Sequence, residues 1–352
     1  MKKRIALLLA GVLAVTSLVA CGGGNQGGNN NDAAAKVKVG LGACTSFSES
    51  YSIGEDNHGQ AATATNAQVD IHVAAVTLNA DNTIADIQID AIQIKNSVDA
   101  NGALAADAKK EFTSKHDLGE DYGMKAYGPE GAIGVEWCDQ IDNFETWAKG
   151  KTLEEINAGI GTDGYPTDAT LKSGCTIQMN DIKAAVADAI EKAVETDATT
   201  ADTLGIAIIG EMTKEANATA TDAGTFQAYV NFACTTQNAE GKITSVLIDS
   251  IQAYPTWGAD GILTTDAEQD VRTKYTKKYE YGMKEYGPEG AIGKEWFEQI
   301  DVFKQTILGA TAAEVEAIAV NDAGNPTDET LLTGCTMKIS AYKTVVVKSL
   351  AK

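Results

Sequence analysis

One string written twice constrains this chain more than any bulk property. Tyr122-Gly-Met-Lys-Ala-Tyr-Gly-Pro-Glu-Gly-Ala-Ile-Gly134 returns as Tyr281-Gly-Met-Lys-Glu-Tyr-Gly-Pro-Glu-Gly-Ala-Ile-Gly293, an offset of 159. The same offset pairs Ile84 with Ile243, Asp90 with Asp249, Trp137 with Trp296, and Gln140-Ile-Asp142 with Gln299-Ile-Asp301. After a one-residue insertion, Pro166-Thr-Asp168 pairs with Pro326-Thr-Asp328, and Gly174-Cys-Thr176 with Gly334-Cys-Thr336. A period near 160 is too long for a solenoid unit and is the length of a whole domain. Two homologous domains are therefore expected, 37–196 and 200–352, each folding on its own. The polar, Thr-rich stretch Thr196 to Asp202 is their expected join.

Both halves read on one template. A first strand is expected near Val37–Cys44, matched by Leu204–Ile209. A hairpin follows, Val69–Leu78 and Ile84–Ile94 around a turn at Asn79–Thr83, with Asn238–Lys242 as the second turn. Ile87-Gln-Ile-Asp90 and Val246-Leu-Ile-Asp249 mix alternation with β-branched residues, as half-buried strands do. A helix opening near Pro129 carries Ile133, Trp137, Ile141 and Phe144 on one stripe; Ile292, Trp296, Ile300 and Phe303 repeat it. Thr152-Leu-Glu-Glu155 has capping-box form. A closing helix follows Asn180 and Ser340, with Ile182, Val186 and Ile190 matched by Tyr342, Val346 and Leu350. Strands and helices do not alternate strictly, so the fold class is α+β: two tandem domains, each a mainly antiparallel sheet packed with helices.

Charge narrows the partners. The 352 residues carry 28 Lys+Arg against 49 Asp+Glu, a formal net charge of −21. A field of that sign repels phosphate backbones, so nucleic acid is excluded as a partner. Lys2-Lys3-Arg4, an apolar run from Ile5 to Val15 and Leu18-Val-Ala-Cys21 describe a secretory leader. Cys after Leu-x-Ala resembles a lipobox, which implies that Cys21 is diacylated, palmitate included, and becomes the mature N-terminus. Residues 22–36, Gly/Asn-rich and without apolar periodicity, read as a flexible tether spanning roughly 20 Å. The expected location is the cell membrane, lipid-anchored on the extracytoplasmic face. Cys44, Cys138, Cys175, Cys234 and Cys335 are odd in number and show no CxxC, which argues against a disulfide framework. His58, His72 and His116 are scattered and read as surface or incidental residues, with no metal site.

Copying alone does not separate core from site. Trp137/Trp296 and Ile141/Ile300 read as core. Tyr122 and Met124, with Tyr281 and Met283, sit in a Gly-rich turn that either packs locally or lines a planar ligand. Lys115/Lys274 read as surface residues and Asp90/Asp249 as sheet-edge residues. Ser173-Gly174-Cys175-Thr176 and Thr333-Gly334-Cys335-Thr336 are poor core material and break the strand pattern shortly before the final helix. Gly lets the backbone approach a ligand closely, and a nearby helix N-terminus favours an anion. A bare turn is the alternative on composition.

These four-residue runs resemble the Ser/Thr-Gly-Ala-Thr signature of FMN-binding domains. Such domains occur in flavin-bearing subunits of the Rnf and sodium-pumping quinone reductase complexes. They also occur in tandem-domain Gram-positive lipoproteins of extracellular electron transfer. The wider pattern is similar too: a lipobox leader, Ser/Thr-x-Lys ahead of Tyr-Gly-Met-Lys, Glu-Trp-x-x-Gln-Ile-Asp, then the signature before a last helix. The resemblance spans nearly all of 37–352. It implies that a flavin transferase joins FMN through its phosphate to Thr176 and Thr336, up to two per chain, with the rest of each signature and the Tyr/Met pairs at the cofactor. It further implies a membrane quinone or flavin as electron donor and an extracellular electron acceptor. The chain departs from the family at Cys175 and Cys335, which replace Ala, and at Gln178 and Lys338, where Ser or Thr is usual. The family's Asp also often stands closer to the signature than Asp168 and Asp328 do.

An electron carrier needs no nucleophile–base pair, and the sequence shows no Ser/His/Asp constellation, Walker loop or metal motif. The competing reading is a non-redox lipoprotein that binds a small ligand or a partner protein between its domains. A hydrolase lacks its residues here.

Overall fold

Two antiparallel sheets stand face to face, and each carries its own helical layer on the outside. The computed structural model describes residues 34–57, 59–126, 133–286 and 292–351. The leader with Cys21, the tether to residue 33, His58 and the segments around Pro129 and Pro288 lie outside the described residues.

In the first half, β1 (Lys36–Ser46) is followed by a small ribbon of β2 (Asp56–Asn57) and β3 (Gln60–Ala61), then by the long hairpin β4 (Thr65–Leu78) and β5 (Ile84–Val98). The short β6 (Glu111–Phe112) precedes the helices α1 (Lys115–Leu118), α2 (Trp137–Ala148), α3 (Leu153–Ala158), α4 (Ala169–Lys172) and α5 (Asn180–Glu191). Strand β7 (Val194–Thr199) leads into the second half: β8 (Thr203–Ala216), β9 (Gly224–Gln237), β10 (Ile243–Ala253), β11 (Thr256–Trp257), then α6 (Lys274–Lys277), α7 (Trp296–Ile307), α8 (Ala312–Glu316), α9 (Glu329–Leu332) and α10 (Ser340–Leu350). The sheet orders are β5-β4-β1-β7 and β10-β9-β8-β6. The α+β class with antiparallel sheets packed by helices is as the sequence indicates.

Local chemistry explains most boundaries. The hairpin turns fall at Asn79–Thr83 and Asn238–Lys242, and Asn82 takes the left-handed conformation that Asn tolerates. Thr152 and Thr311 close capping boxes with Glu155 and Glu314, so α3 and α8 begin where the pattern places them. The expected start of α2 near Pro129 is corrected: the helix opens at Trp137 behind Glu136, and Ile133 and Ile292 precede their helices.

The central strands are not half-buried. Val69, Ile71, Val73 and Ala75 of β4 face a middle apolar layer together with Phe226, Ala228, Val230, Phe232 and Cys234 of β9. The opposite face of β4, through Ala74, Val76 and Leu78, packs on α2 and α5 with Trp137, Ile141, Phe144, Ile182 and Val186. The second half has its own outer cluster of Trp296, Ile300, Phe303, Val345 and Val346. The middle layer thus belongs to neither half alone, and Ala34 to the C-terminus is one compact unit. The expected join is ordered structure: β7 pairs with β1, placing Glu195 opposite Lys38, and Lys36 bonds Asp197 at 2.8 Å.

Two glycines set how closely helix meets sheet. A Cβ on Gly40 would lie 1.9 Å from the carbonyl oxygen of Ala189 in α5, and one on Gly205 would lie 1.9 Å from that of Ser349 in α10. Neither position accepts a side chain without separating the layers.

Candidate functional site

Each residue of the signature has a separate task. Asp168 caps α4 by accepting from the amides of Thr170 and Leu171, and Asp328 caps α9 through Leu331. These caps start a single helical turn that delivers the chain to the signature. Ser173 and Thr333 then close that turn, each hydroxyl donating to a carbonyl three residues back at 2.7 Å. Gly174 lies against α2, where a Cβ would come 2.7 Å from Asn143; on Gly334 it would come 2.8 Å from Val302 of α7. The close approach that Gly permits is therefore to a helix of the same half.

Cys175 and Cys335 are fully buried beneath the turn. Burial pushes their thiols up to about 11 and about 12. They are apolar packing residues, and Cys175 Sγ rests 3.6 Å from Met179 Sδ.

The last residue is held by a group that the sequence did not single out. Gln140 Oε1 accepts the Thr176 amide at 2.8 Å and its hydroxyl at 3.3 Å. Gln299 Oε1 does the same for Thr336, at 2.9 and 3.3 Å, and also accepts the Met337 amide at 3.1 Å. Both glutamines are fully buried on the inner face of their helices, whereas both threonines are half-buried. Their side-chain amides are fixed by the carbonyls of Val135 and Lys294, 3.1 Å away, which keeps Oε1 aimed at the signature.

The same helix start secures the Tyr-Gly-Met turn. Glu136 and Glu295 accept the amides of Met124 and Met283 at 2.7 Å, and Met124 Sδ lies 3.6 Å from Gln140 Nε2. Gly123 and Gly282 are left-handed, at φ 79° and 74°, which lets the backbone turn toward the glutamate. Tyr122, Met124, Tyr281 and Met283 are half-buried. The repeated Glu-Trp-x-x-Gln motif therefore ties the turn and the signature to one helix. Its recurrence was the signal that could have assigned Gln140 and Gln299.

Several readings of single residues are corrected by burial. Lys115 and Lys274 are not surface residues: 7% and 4% exposed, they run behind the turn. Lys115 Nζ lies over the rings of Tyr122 and Trp137 at 5.0 and 5.3 Å. Lys274 Nζ lies over Tyr229, Tyr281 and Trp296 at 4.4, 4.9 and 5.7 Å. Asp90 and Asp249 lie on edge strands, yet both are buried and accept the amides of His116 and Tyr275 at the start of α1 and α6. Burial raises Asp249 to about 6, against the pull of its hydrogen bonds from Thr273, Tyr275 and Ser250. His72 is interior, and burial, with Lys115 nearby, lowers it to about 3, a neutral imidazole. His116 meets Asp142 at 3.2 Å.

A separate groove of about 700 Å³ opens where the halves meet, lined by Glu195, Asp197, Thr244, Tyr275, Asp301 and Lys304 among others; it includes neither signature. Comparison of the chain with models of protein families, with curated proteins and with solved structures finds no match.

Proposed function

We propose that this chain is a lipid-anchored extracytoplasmic electron carrier with FMN joined by phosphoester to Thr176 and Thr336. One observation supports the reading above others. In both halves one helix start ties the Tyr-Gly-Met turn, through its glutamate, and the signature threonine, through its glutamine, and that threonine is half-buried while its neighbouring cysteine faces the core. The residues fit the group: an ester needs a hydroxyl at the surface of a rigid turn, and the Cys-for-Ala difference falls on the buried side. FMN, when bound, supplies one- and two-electron chemistry. The chain's own residues hold and orient the attachment point. Gln140 and Gln299 fix the amide and hydroxyl of each threonine, while Glu136 and Glu295 on the same helix start accept the amides of Met124 and Met283.

The carrier would be anchored through Cys21, loaded by a flavin transferase, reduced by a membrane quinone or flavin and oxidised by an extracellular acceptor. Co-expression with a flavin transferase should add one FMN less one water on each signature peptide. Thr176→Ala and Thr336→Ala should each remove one adduct. The double variant should be folded and colourless. Wild-type protein without any adduct would overturn the reading.

A second reading, a binding lipoprotein without flavin, is favoured by the groove at the junction, whose carboxylates, hydroxyls and Lys304 suit a polar ligand. An adduct-free, ligand-retaining protein would select it.

A further inference from the structure

Both candidate attachment sites keep a buried lysine and a buried aspartate behind them, Lys115 and Asp90 in the first half and Lys274 and Asp249 in the second, but the first half adds a further buried carboxylate. Behind the first, the sheet position facing α5 is Asp70, 3% exposed, whose carboxylate takes hydrogen bonds from Gln68 at 2.7 Å and Gln93 at 2.8 Å. Gln93 also meets the hydroxyl of Tyr122, the ring under Lys115, at 3.5 Å. Asp181 belongs to the same cluster, with His72 at 3.8 Å, and burial followed by Asp70 raises its pKa. Asp70 thus stands one hydrogen-bonded residue, Gln93, away from the ring under Lys115.

Behind the second site, offset by 159, Tyr229 replaces Asp70. Its hydroxyl accepts from Lys274 Nζ at 2.9 Å and meets the Tyr342 hydroxyl at 3.3 Å, which in turn accepts from Trp296 Nε1 at 2.9 Å. Burial acts against the ammonium, but Tyr229 and Tyr281 outweigh it and keep Lys274 raised. The contacts around this ammonium are phenols and rings. A second position repeats the contrast: Glu145 of α2 corresponds to Lys304 of α7, the one largely buried and the other 9% exposed. Lys304 pairs with Asp301 at the separate groove, so the contrast behind the signatures rests on Asp70 against Tyr229.

We infer that Asp70, where the second half has Tyr229, sets the two sites apart in electron affinity, so that a flavin on Thr336 is reduced at a more positive potential than one on Thr176. This rests on the carrier reading. Reduction adds two electrons and one proton to the ring and leaves one negative charge on it. Each half keeps a buried cation that favours that charge, and the additional buried carboxylate of the first half opposes it with little solvent to screen it. Electrons entering the chain would then settle on the second half.

The test uses full-length protein loaded by a flavin transferase. Thr336→Ala leaves a flavin only in the first half, and Thr176→Ala only in the second. Each adduct is verified by mass, and each protein is titrated with dithionite against reference dyes. The Thr336-borne flavin is expected at the more positive potential. Asp70→Asn should move the Thr176-borne flavin in the positive direction, and Lys274→Met should move the Thr336-borne flavin in the negative direction. Equal or reversed potentials, or no movement with Asp70→Asn in a folded protein, overturn the inference and leave the carrier reading standing. Absence of adducts on both threonines overturns both.

Discussion

The two halves hold their signature threonine with the same bonds at nearly the same lengths, yet differ at several of the ionisable positions around it. What is kept is the set of contacts that satisfy backbone amides: Gln to the Thr amide, Glu to the Met amide, Thr to the Glu amide in each capping box. Leaving the part-buried Thr or Met amides without an acceptor costs about 1–3 kcal/mol. What has diverged are side-chain pairs: Asp70 against Tyr229, His116 against Tyr275, Cys138 against Phe297, Glu145 against Lys304. These pairs can be exchanged as long as each new group finds a partner. Tyr275 bonds Asp301 at 3.1 Å where His116 met Asp142, and Lys304 bonds Asp301 at 2.6 Å. The scaffold is constrained by the main chain and the chemistry around it by local pairing.

The strongest way to break this symmetry is to separate the halves. A chain of residues 34–199 would expose Val69, Ile71, Val73 and Ala75, which β9 covers in the whole molecule. At about 1.5–3 kcal/mol for each large buried side chain, Val69, Ile71 and Val73 alone lose about 5–9 kcal/mol, comparable with the whole stability of a domain. The fragment is expected to lack a cooperative thermal transition by circular dichroism, whereas the whole chain shows one. A sharp transition for the fragment would mean that the middle layer is dispensable.

Gly40→Ala and Gly205→Ala probe the same contact in each half. Each should lower stability by about 3 kcal/mol, read as a drop in the urea midpoint, because the added methyl meets helix backbone. A large loss in one half only would show that the helix–sheet spacing is not shared.

Glu145→Gln should affect pH dependence in the first half alone. Burial is the main cause that raises Glu145 to about 8 from 4.5, opposed by the Ile89 amide. A raised carboxylate is destabilising once ionised, so the fold loses stability as pH climbs from about 4.5 through 8. Gln keeps an acceptor for the Ile89 amide, now 2.6 Å away, and removes the charge. The variant is expected to be more stable by roughly 2 kcal/mol at pH 8 and unchanged near pH 4. A gain that is equal at both values would point to packing. The smallest effect is expected for Gln299→Ala, about 1–2 kcal/mol, with faster amide exchange at Thr336 and Met337.

Much of the scaffold was legible because period and capping are local. The 159-residue repeat, the two hairpin turns, the Thr152 capping box and the apolar stripes from Trp137 and Trp296 all appear where the pattern puts them. What stayed hidden depends on pairing across distance. Lys115 and His72 look like surface residues in sequence because lysine and histidine usually are, and only the aromatic rings and sheet packed over them reveal otherwise. Gln140 was visible as a repeated letter, but its bond to Thr176, 36 residues away, depends on how a one-turn helix returns the chain to α2. The shared middle layer was hidden for a similar reason: β4 alternates as Val69-Asp70-Ile71-His72-Val73, the pattern of a half-buried strand, although both its faces are covered.

That middle layer also fixes the kinetics of assembly. Were the halves separate molecules, closing it would be a bimolecular event, sensitive to dilution and to competition from other exposed sheets. Joined through β7, they meet at an effective concentration in the millimolar range whatever the abundance of the protein. The connecting strand thus makes the pairing of the halves a first-order property of each chain, unchanged from a crowded surface to a single copy.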